Sequence, residues 1–434
     1  MSKEARISGR ACRDRCLALL AVFCVCVGSG VVKADNASIQ EKYRILHKVI
    51  VQPVDHSAAE GPTLEQHVDI LIPDGVPPDS PVFFNLGNES DKTDKDLIEF
   101  YERHGAEQRI IYVQAEHRGY GQSLTEDEDQ SVPSYVQIDQ ALADAHEVIQ
   151  QLKKEYPGPW MAAGWSYGGG LVINFAAQYP DDVKVILSSS GVVDWPFMNY
   201  SYERQVTKAL GERCYKRLVK HVENLKPKQP LDEAWYEREF LHAIIVGMTQ
   251  YEEFKKLRPY FKMGSYLPTK AFLRTLHWTD EKFSGGKGWQ YAQGWGGRNL
   301  THKEAETGDY NWHVWHYQQC TQTGAFFASE SEAGLFPQTK QELCDECQTL
   351  FGEEPRYATS PEWSPRKMLE TLKVPVVYIS GGNDPWFAVC LEPGYKLKSG
   401  KYFYIPEGYH CPDRADPSFA REVLAEMLKY ASSK

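Results

Sequence analysis

"MAAGWSYGGGLVINFAAQYP", residues 161–180, is the stretch on which the fold reading turns. Ser166 stands between Gly164 and Gly168, with the strand-like "WMAAG" before it and the helix-like "GGGLVINFAAQ" after it. A chain that leaves a strand, turns sharply and enters a helix lifts the residue at the turn clear of the sheet. Glycines two residues to either side relieve the crowding that such a turn creates. The strand–turn–helix setting, more than the G-x-S-x-G spacing alone, marks Ser166 as a candidate nucleophile rather than a serine that caps a helix.

The flanking segments repeat this grammar. "VDILIP" (68–73), "VFFNLG" (82–87), "RIIYVQAEHRG" (109–119) and "VKVILSSSG" (183–191) read as short apolar strands. "KDLIEFYERHG" (95–105) and the long stretch from Tyr135 to Tyr156 have helical spacing. Alternation of this kind predicts a mostly parallel sheet with helices on both faces. From about Asp194 to Pro361 apolar strand runs give way to aromatic and charged residues at helical spacing, and the strand pattern resumes with "VPVVYISGG" (374–382) and "KYFYIPEG" (401–408). The expected organisation is a split sheet domain over 35–193 and 362–434, interrupted by a mainly helical cap over 194–361.

In such a sheet the triad follows the chain order serine, acid, histidine. Asp384, in "GGNDPW", comes directly after one resumed strand, and His410, in "PEGYHC", follows the next; the preceding histidine, His316, lies in the inserted segment. Loops at the carboxyl ends of parallel strands gather at one edge, so both are expected beside Ser166. The chemistry needs these types: His410 takes the proton as Ser166 attacks a carbonyl, and Asp384 holds the imidazole in the useful tautomer. The oxyanion would be met by the backbone N–H of Tyr167 and by a donor near Asn88.

Residues 1–34 read as a secretory signal: five basic residues up to Arg15 precede "CLALLAVFCVCVG", and small residues lead to Ala34. Removing them takes the formal net charge from −11 to about −15, which disfavours nucleic acid and anionic membranes as partners. No later segment is apolar enough to span a bilayer, and 42% hydrophobic with 25% charged residues is an ordinary globular mix. Six cysteines remain, Cys214, Cys320, Cys344, Cys347, Cys390 and Cys411, which in an oxidising compartment suggests three disulfides of unspecified pairing. Sequons at Asn36, Asn88, Asn199 and Asn299 are compatible with glycosylation. His313, His316 and the cysteines after them could bind zinc, but in an exported chain such cysteines more often pair. No metal and no cofactor is expected.

The residues resemble a known family, the serine exopeptidases that include prolyl carboxypeptidase and dipeptidyl-peptidase II, with related bacterial prolyl tripeptidyl and tetrapeptidyl aminopeptidases. The likeness is carried, in order, by "QPVDH" (52–56), "FFNLGNES" (83–90), "AEHRGYGQSL" (115–124), "QALADAHEVI" (140–149), "GWSYGG" (164–169), "WHYQQCTQTGAFF" (315–327), "NDPW" (383–386) and "YHCPDR" (409–414). Trp165 stands where the carboxypeptidase group usually has a small residue. The resemblance implies an α/β-hydrolase fold with a helical cap, and cleavage after proline or alanine near one end of a peptide. It also implies the roles already read for Ser166, Asp384 and His410.

An exopeptidase must bind a free terminus. Glu89, in "GNES", is a candidate partner for a peptide ammonium, which would favour N-terminal action; a structural carboxylate is the alternative. Trp386 and Trp315 are candidate walls for a proline ring. Glu116 and Arg118 are expected to form an internal ion pair. Carboxypeptidase action, an esterase or lipase on the same scaffold, and a non-catalytic binding protein are the competing readings. A secreted or lysosomal/vacuolar location is expected, and the sequence does not decide between a monomer and a homodimer.

Overall fold

A computed structural model describes residues 42–90, 92–104, 108–123, 135–196, 198–225, 254–284, 309–324, 326–329, 334–336, 339–352 and 364–432, with isolated positions between 234 and 250. The signal segment and the sequons at Asn36 and Asn299 lie outside the described residues. Eight strands form one sheet: β1 (Tyr43–Pro53), β2 (Thr63–Pro73), β3 (Val82–Asn85), β4 (Ile111–Ala115), β5 (Trp160–Trp165), β6 (Val185–Ser189), β9 (Val376–Gly381) and β10 (Gly400–Ile405). Their spatial order is β1-β2-β4-β3-β5-β6-β9-β10. β2 runs antiparallel to β4, and every pairing from β4 to β10 is parallel. This is the mostly parallel sheet expected from the alternation, in the α/β-hydrolase architecture that the resemblance implies.

The central strands β4, β5, β6 and β9 are buried at every position, as both faces of a parallel sheet must be when helices cover them. Helices α1 (Asp94–His104), α2 (Ile138–Leu152) and α3 (Tyr167–Gln178) fill the connections of the first half. Apolar residues at helical spacing on α2, Leu142, Ala145, Val148, Ile149 and Leu152, are buried in the sheet core. Edge strand β1 is absent from the sequence reading because Val49 and Val51 face solvent, 49% and 59% exposed, and its alternation is weak.

Between β6 and β9 the described elements are helical apart from the short pair β7 (Met198–Asn199) and β8 (Phe326–Phe327). They are α4 (Ser201–Leu210), α5 (Glu212–Val222), α6 (Phe254–Gly264), α7 (Thr269–Ser284), α8 (Asp309–Gln318), a π turn over Gln319–Thr323, and α9 (Lys340–Phe351). A capping box, Thr339 with Glu342, opens α9, and left-handed Gly352 closes it. These helices enclose a second apolar core, with Tyr202, Leu218, Phe261 and Phe336 at its centre. Trp386 and Tyr409, neighbours of the two predicted triad partners, pack against that core. α10 (Pro365–Thr371), α11 (Pro412–Ala415) and α12 (Pro417–Ala431) complete the chain. No helix among the described residues is long and apolar enough to cross a membrane.

The expectation of three disulfides is corrected by the structure. One disulfide forms among the described residues, Cys320–Cys347, while Cys214, Cys344, Cys390 and Cys411 are thiols. Cys214 is enclosed in the inserted core, and the Cys411 thiol donates to the Ser189 carbonyl at 3.7 Å, so these sulfurs stand in separate settings. The surviving bond also takes two of the sulfurs a zinc site would have used. Of the two sequons among the described residues, Asn199 is buried with its side chain accepting from the Ser201 N–H, and Asn88 is half-buried with its Oδ1 accepting from Ser90 and Lys92.

Candidate active site

Ser166 occupies the junction of β5 and α3 with φ 57° and ψ −121°, a backbone conformation that a non-glycine residue holds only under strain. Its N–H donates to Ser189 O at 2.9 Å, which ties the turn to β6. Both flanking glycines are sterically required. A Cβ on Gly164 would stand 1.9 Å from Gly168 O, and one on Gly168 would meet Gly87 O at 2.7 Å. The second contact brings the turn after β3, with Asn88, directly against the start of α3.

Asp384 and His410 come together as expected. The imidazole Nδ1–H donates to Asp384 Oδ2 at 2.7 Å, leaving Nε2 as the basic nitrogen. Asp384 Oδ1 accepts from the Trp386 N–H at 2.9 Å, and both Asp384 and His410 are buried. Burial disfavours the imidazolium, but the Asp384 charge outweighs it and holds the His410 pKa above the ordinary histidine range. The two turns are laced together, Asn383 N donating to Gly408 O at 2.8 Å. The His410 N–H donates to Gln250 O, also at 2.8 Å, so a residue of the inserted segment holds the base's backbone. Among the described residues the Ser166 hydroxyl makes no hydrogen bond; catalytic contacts of this kind tighten on substrate binding.

Glu89 lies beside the pair. Its Oε2 is sealed from solvent and has no hydrogen-bond partner among the described residues. Burial raises its pKa, opposed more weakly by its own backbone and by the charges of Lys92, His410 and Arg414. Trp386 is half-buried with its ring edge-on to Tyr202 at 5.0 Å, and Trp315 is buried with its ring 5.0 Å from that of Tyr167.

The expected Glu116–Arg118 pair does not form. Arg118 binds Asp144 through two bonds, Nε to Oδ2 at 2.7 Å and Nη2 to Oδ1 at 2.6 Å, and also reaches the carbonyls of Pro53, Val54 and Tyr135. His56 Nε2 meets the same carboxylate at 2.7 Å. Glu116 instead accepts from the N–H groups of Lys92, Gln122 and Ser123 and from the Ser123 hydroxyl. Each buried charge has found the partner set that saturates it, five donors for the guanidinium and four acceptances for the carboxylate.

Two further groups support the Ser166 turn. The Trp165 indole N–H donates to Asp413 Oδ2 at 2.7 Å, and the Ser189 hydroxyl bonds the other oxygen. Behind Ser166, Tyr120 O–H bonds Gln318 Oε1, Gln318 Nε2 donates to the Tyr167 hydroxyl at 3.1 Å, and Tyr167 O–H points to His117 Nε2 at 3.4 Å. His117 Nδ1–H completes the chain on Arg118 O at 2.8 Å, and burial lowers this histidine's pKa to about 4, keeping it neutral. Asp144, Gln318 and Asp413 all lie inside the quoted motifs, but spacing alone assigned them no role.

Residues 75–230 match the family described as Serine carboxypeptidase S28. Over 173 residues the chain is 32% identical to the lysosomal Pro-X carboxypeptidase of Mus musculus, covering 36% of this chain and 34% of that protein. It is 31% identical over 145 residues to the prolyl tri/tetrapeptidyl aminopeptidase of Streptomyces mobaraensis, covering 33% and 28%. The matched stretches span about a third of the length of these relatives. A solved peroxisomal α/β-hydrolase from Saccharomyces cerevisiae aligns over 91% of each chain at 11% identity and a TM-score of 0.44, too loosely to bear on the site. The resemblance read from the motifs is borne out: the chain is similar to the serine peptidases of this family.

Proposed function

We propose that the chain is a serine exopeptidase that cleaves after proline or alanine near the N-terminus of a peptide. Ser166 attacks the carbonyl, His410 takes its proton and returns it to the leaving amine, and water then releases the acyl group through the same base. Asp384 fixes the histidine tautomer through the Nδ1 bond. The Tyr167 N–H and a donor of the abutting Asn88 turn are assigned to the oxyanion, one such donor contributing about 2.7–4 kcal/mol to the transition state. Trp386, beside the acid, is assigned as a wall for the proline ring.

The choice of terminus is carried by one observation, the unpartnered buried oxygen of Glu89. The charges of Lys92, His410 and Arg414 offset the desolvation of this carboxylate only in part, and a peptide α-ammonium supplies both further charge and donors. The relative from Streptomyces mobaraensis carries an aminopeptidase name, which supports this choice; the lysosomal carboxypeptidase name supports the opposite one. The secretory or lysosomal location is likewise proposed, from the signal-like N-terminus and those relatives.

The test is hydrolysis of fluorogenic peptides with proline second or third from a free N-terminus, and of C-terminal Pro-X peptides, from pH 4 to pH 8, beside Ser166→Ala. N-terminal cleavage, reduced roughly 10⁶-fold in the variant, is the expected result. Cleavage of only the C-terminal substrates would make this a carboxypeptidase. Faster turnover of short acyl esters than of any peptide would make it an esterase.

A further inference from the structure

A cavity of about 210 Å³ opens between α1, the turn after β3 and the Trp165 side chain. By that measure one water needs about 10–15 Å³, so the space is large enough for a side chain. Asn88 and Ser90, the residues on either side of Glu89, both line it. Its walls carry the cations Lys92, Arg103 and Arg414 and the anions Asp96 and Glu99.

Most of these charges are already engaged. Lys92 Nζ is bonded to Asn88 and Ser90. Asp96 Oδ2 accepts from the Thr93 N–H and hydroxyl, and the exposed Glu99 is paired with Lys95 at 3.7 Å. Asp413, close enough to influence Arg103, spends its two oxygens on Trp165 and Ser189. The half-buried Arg103 guanidinium makes no hydrogen bond or ion pair among the described residues. Burial and the neighbouring Arg414 charge work against the Arg103 cation and outweigh the support it draws from Asp413 and Glu99, so an anion in the cavity would add to that support.

We infer that this cavity is the subsite for the side chain of the substrate's N-terminal residue, and that Arg103 selects an acidic one, aspartate or glutamate. The inference rests on the aminopeptidase reading. If Glu89 holds the α-ammonium, the side chain on the adjoining carbon must leave within a few ångströms of Glu89, and the cavity is lined by the two residues that flank Glu89 in the chain. A planar five-donor fork is the natural complement of a carboxylate.

The experiment compares kcat/KM for peptides identical but for an N-terminal Glu, Ala or Lys, on wild type, Arg103→Lys and Arg103→Glu, with glutarate and inorganic phosphate titrated calorimetrically into each protein. Wild type is expected to favour Glu over Lys by about tenfold, Arg103→Lys to keep the direction, and Arg103→Glu to reverse it. Equal rates for the three peptides on wild type, with cleavage intact, would overturn the subsite and leave the peptidase reading standing. Should no peptide be cleaved, the titration decides: glutarate binding lost in Arg103→Glu upholds the carboxylate cavity, and no binding overturns it. Phosphate bound as tightly as glutarate, with no peptide preference, would reduce the cavity to a general anion site and overturn the assignment.

Discussion

The indole N–H of Trp165 meets the carboxylate of Asp413 across 248 residues of chain, joining the residue before Ser166 to the turn after His410. Asp413 is fully buried and holds Ser189 with its second oxygen, so one carboxylate fixes the spacing of two strands and the His410 turn. Trp165→Phe is expected to cost about 1.5–3 kcal/mol in urea unfolding, the range for a hydrogen bond to a charged group. Asp413→Ala should cost more, because it strands two buried donors, and should lower kcat with little change in KM. Unchanged stability in both variants would show the bond to be incidental.

Gln318 reaches from α8 to the hydroxyl of Tyr167, whose backbone N–H is assigned to the oxyanion. Gln318→Leu removes both its bonds while keeping similar volume, and should lower kcat roughly ten- to a hundredfold with KM within about twofold. Gln318→Glu keeps the acceptor for Tyr120 and should recover part of the loss. A rise in KM alone would place the effect in substrate binding.

Glu89 should trade stability for activity. Its folded pKa stands above the unfolded one through burial, so folding takes up a proton there. The stabilising contribution is full below the ordinary glutamate pKa of about 4.3 and is lost as pH rises through the folded value. Glu89→Gln should therefore melt higher than wild type at neutral pH, with the difference vanishing in acid. The same variant should lose roughly ten- to a hundredfold in kcat/KM on free-amine peptides. A variant less stable at neutral pH would point instead to a carboxylate that is bonded in solution.

The Cys320–Cys347 bond closes a loop of 27 residues between the π turn and α9. Loop-closure entropy gives such a link about 3–4 kcal/mol. Reduction, or Cys347→Ala, is expected to lower the unfolding midpoint and to expose Cys320 to thiol labelling. An unchanged midpoint after verified reduction would mean the bond does not restrain the unfolded chain.

The elbow was readable because its causes are local: a strand, two glycines and a helix within one short stretch of chain. Asp384 and His410 were readable because strand order brings their turns to one edge. The Glu116–Arg118 pairing failed for the opposite reason, since nearness in sequence suggested a bond that each charge makes elsewhere. Asp413 and Gln318 depend on partners 248 and 151 residues away, and no spacing rule carries that distance. The disulfide count failed because cysteine number bounds pairing without fixing which sulfurs meet.

The bond from the His410 N–H to Gln250 O has a consequence for modularity. The segment between β6 and β9 supplies a support for His410 through Gln250 and one for the Ser166 turn through Gln318. It cannot be exchanged like a detachable lid, because a graft that kept the sheet and replaced this segment would inherit Ser166, Asp384 and His410 without the glutamines that support their turns. Shuffling within this architecture is therefore expected to succeed only when both glutamines travel with the loops they hold.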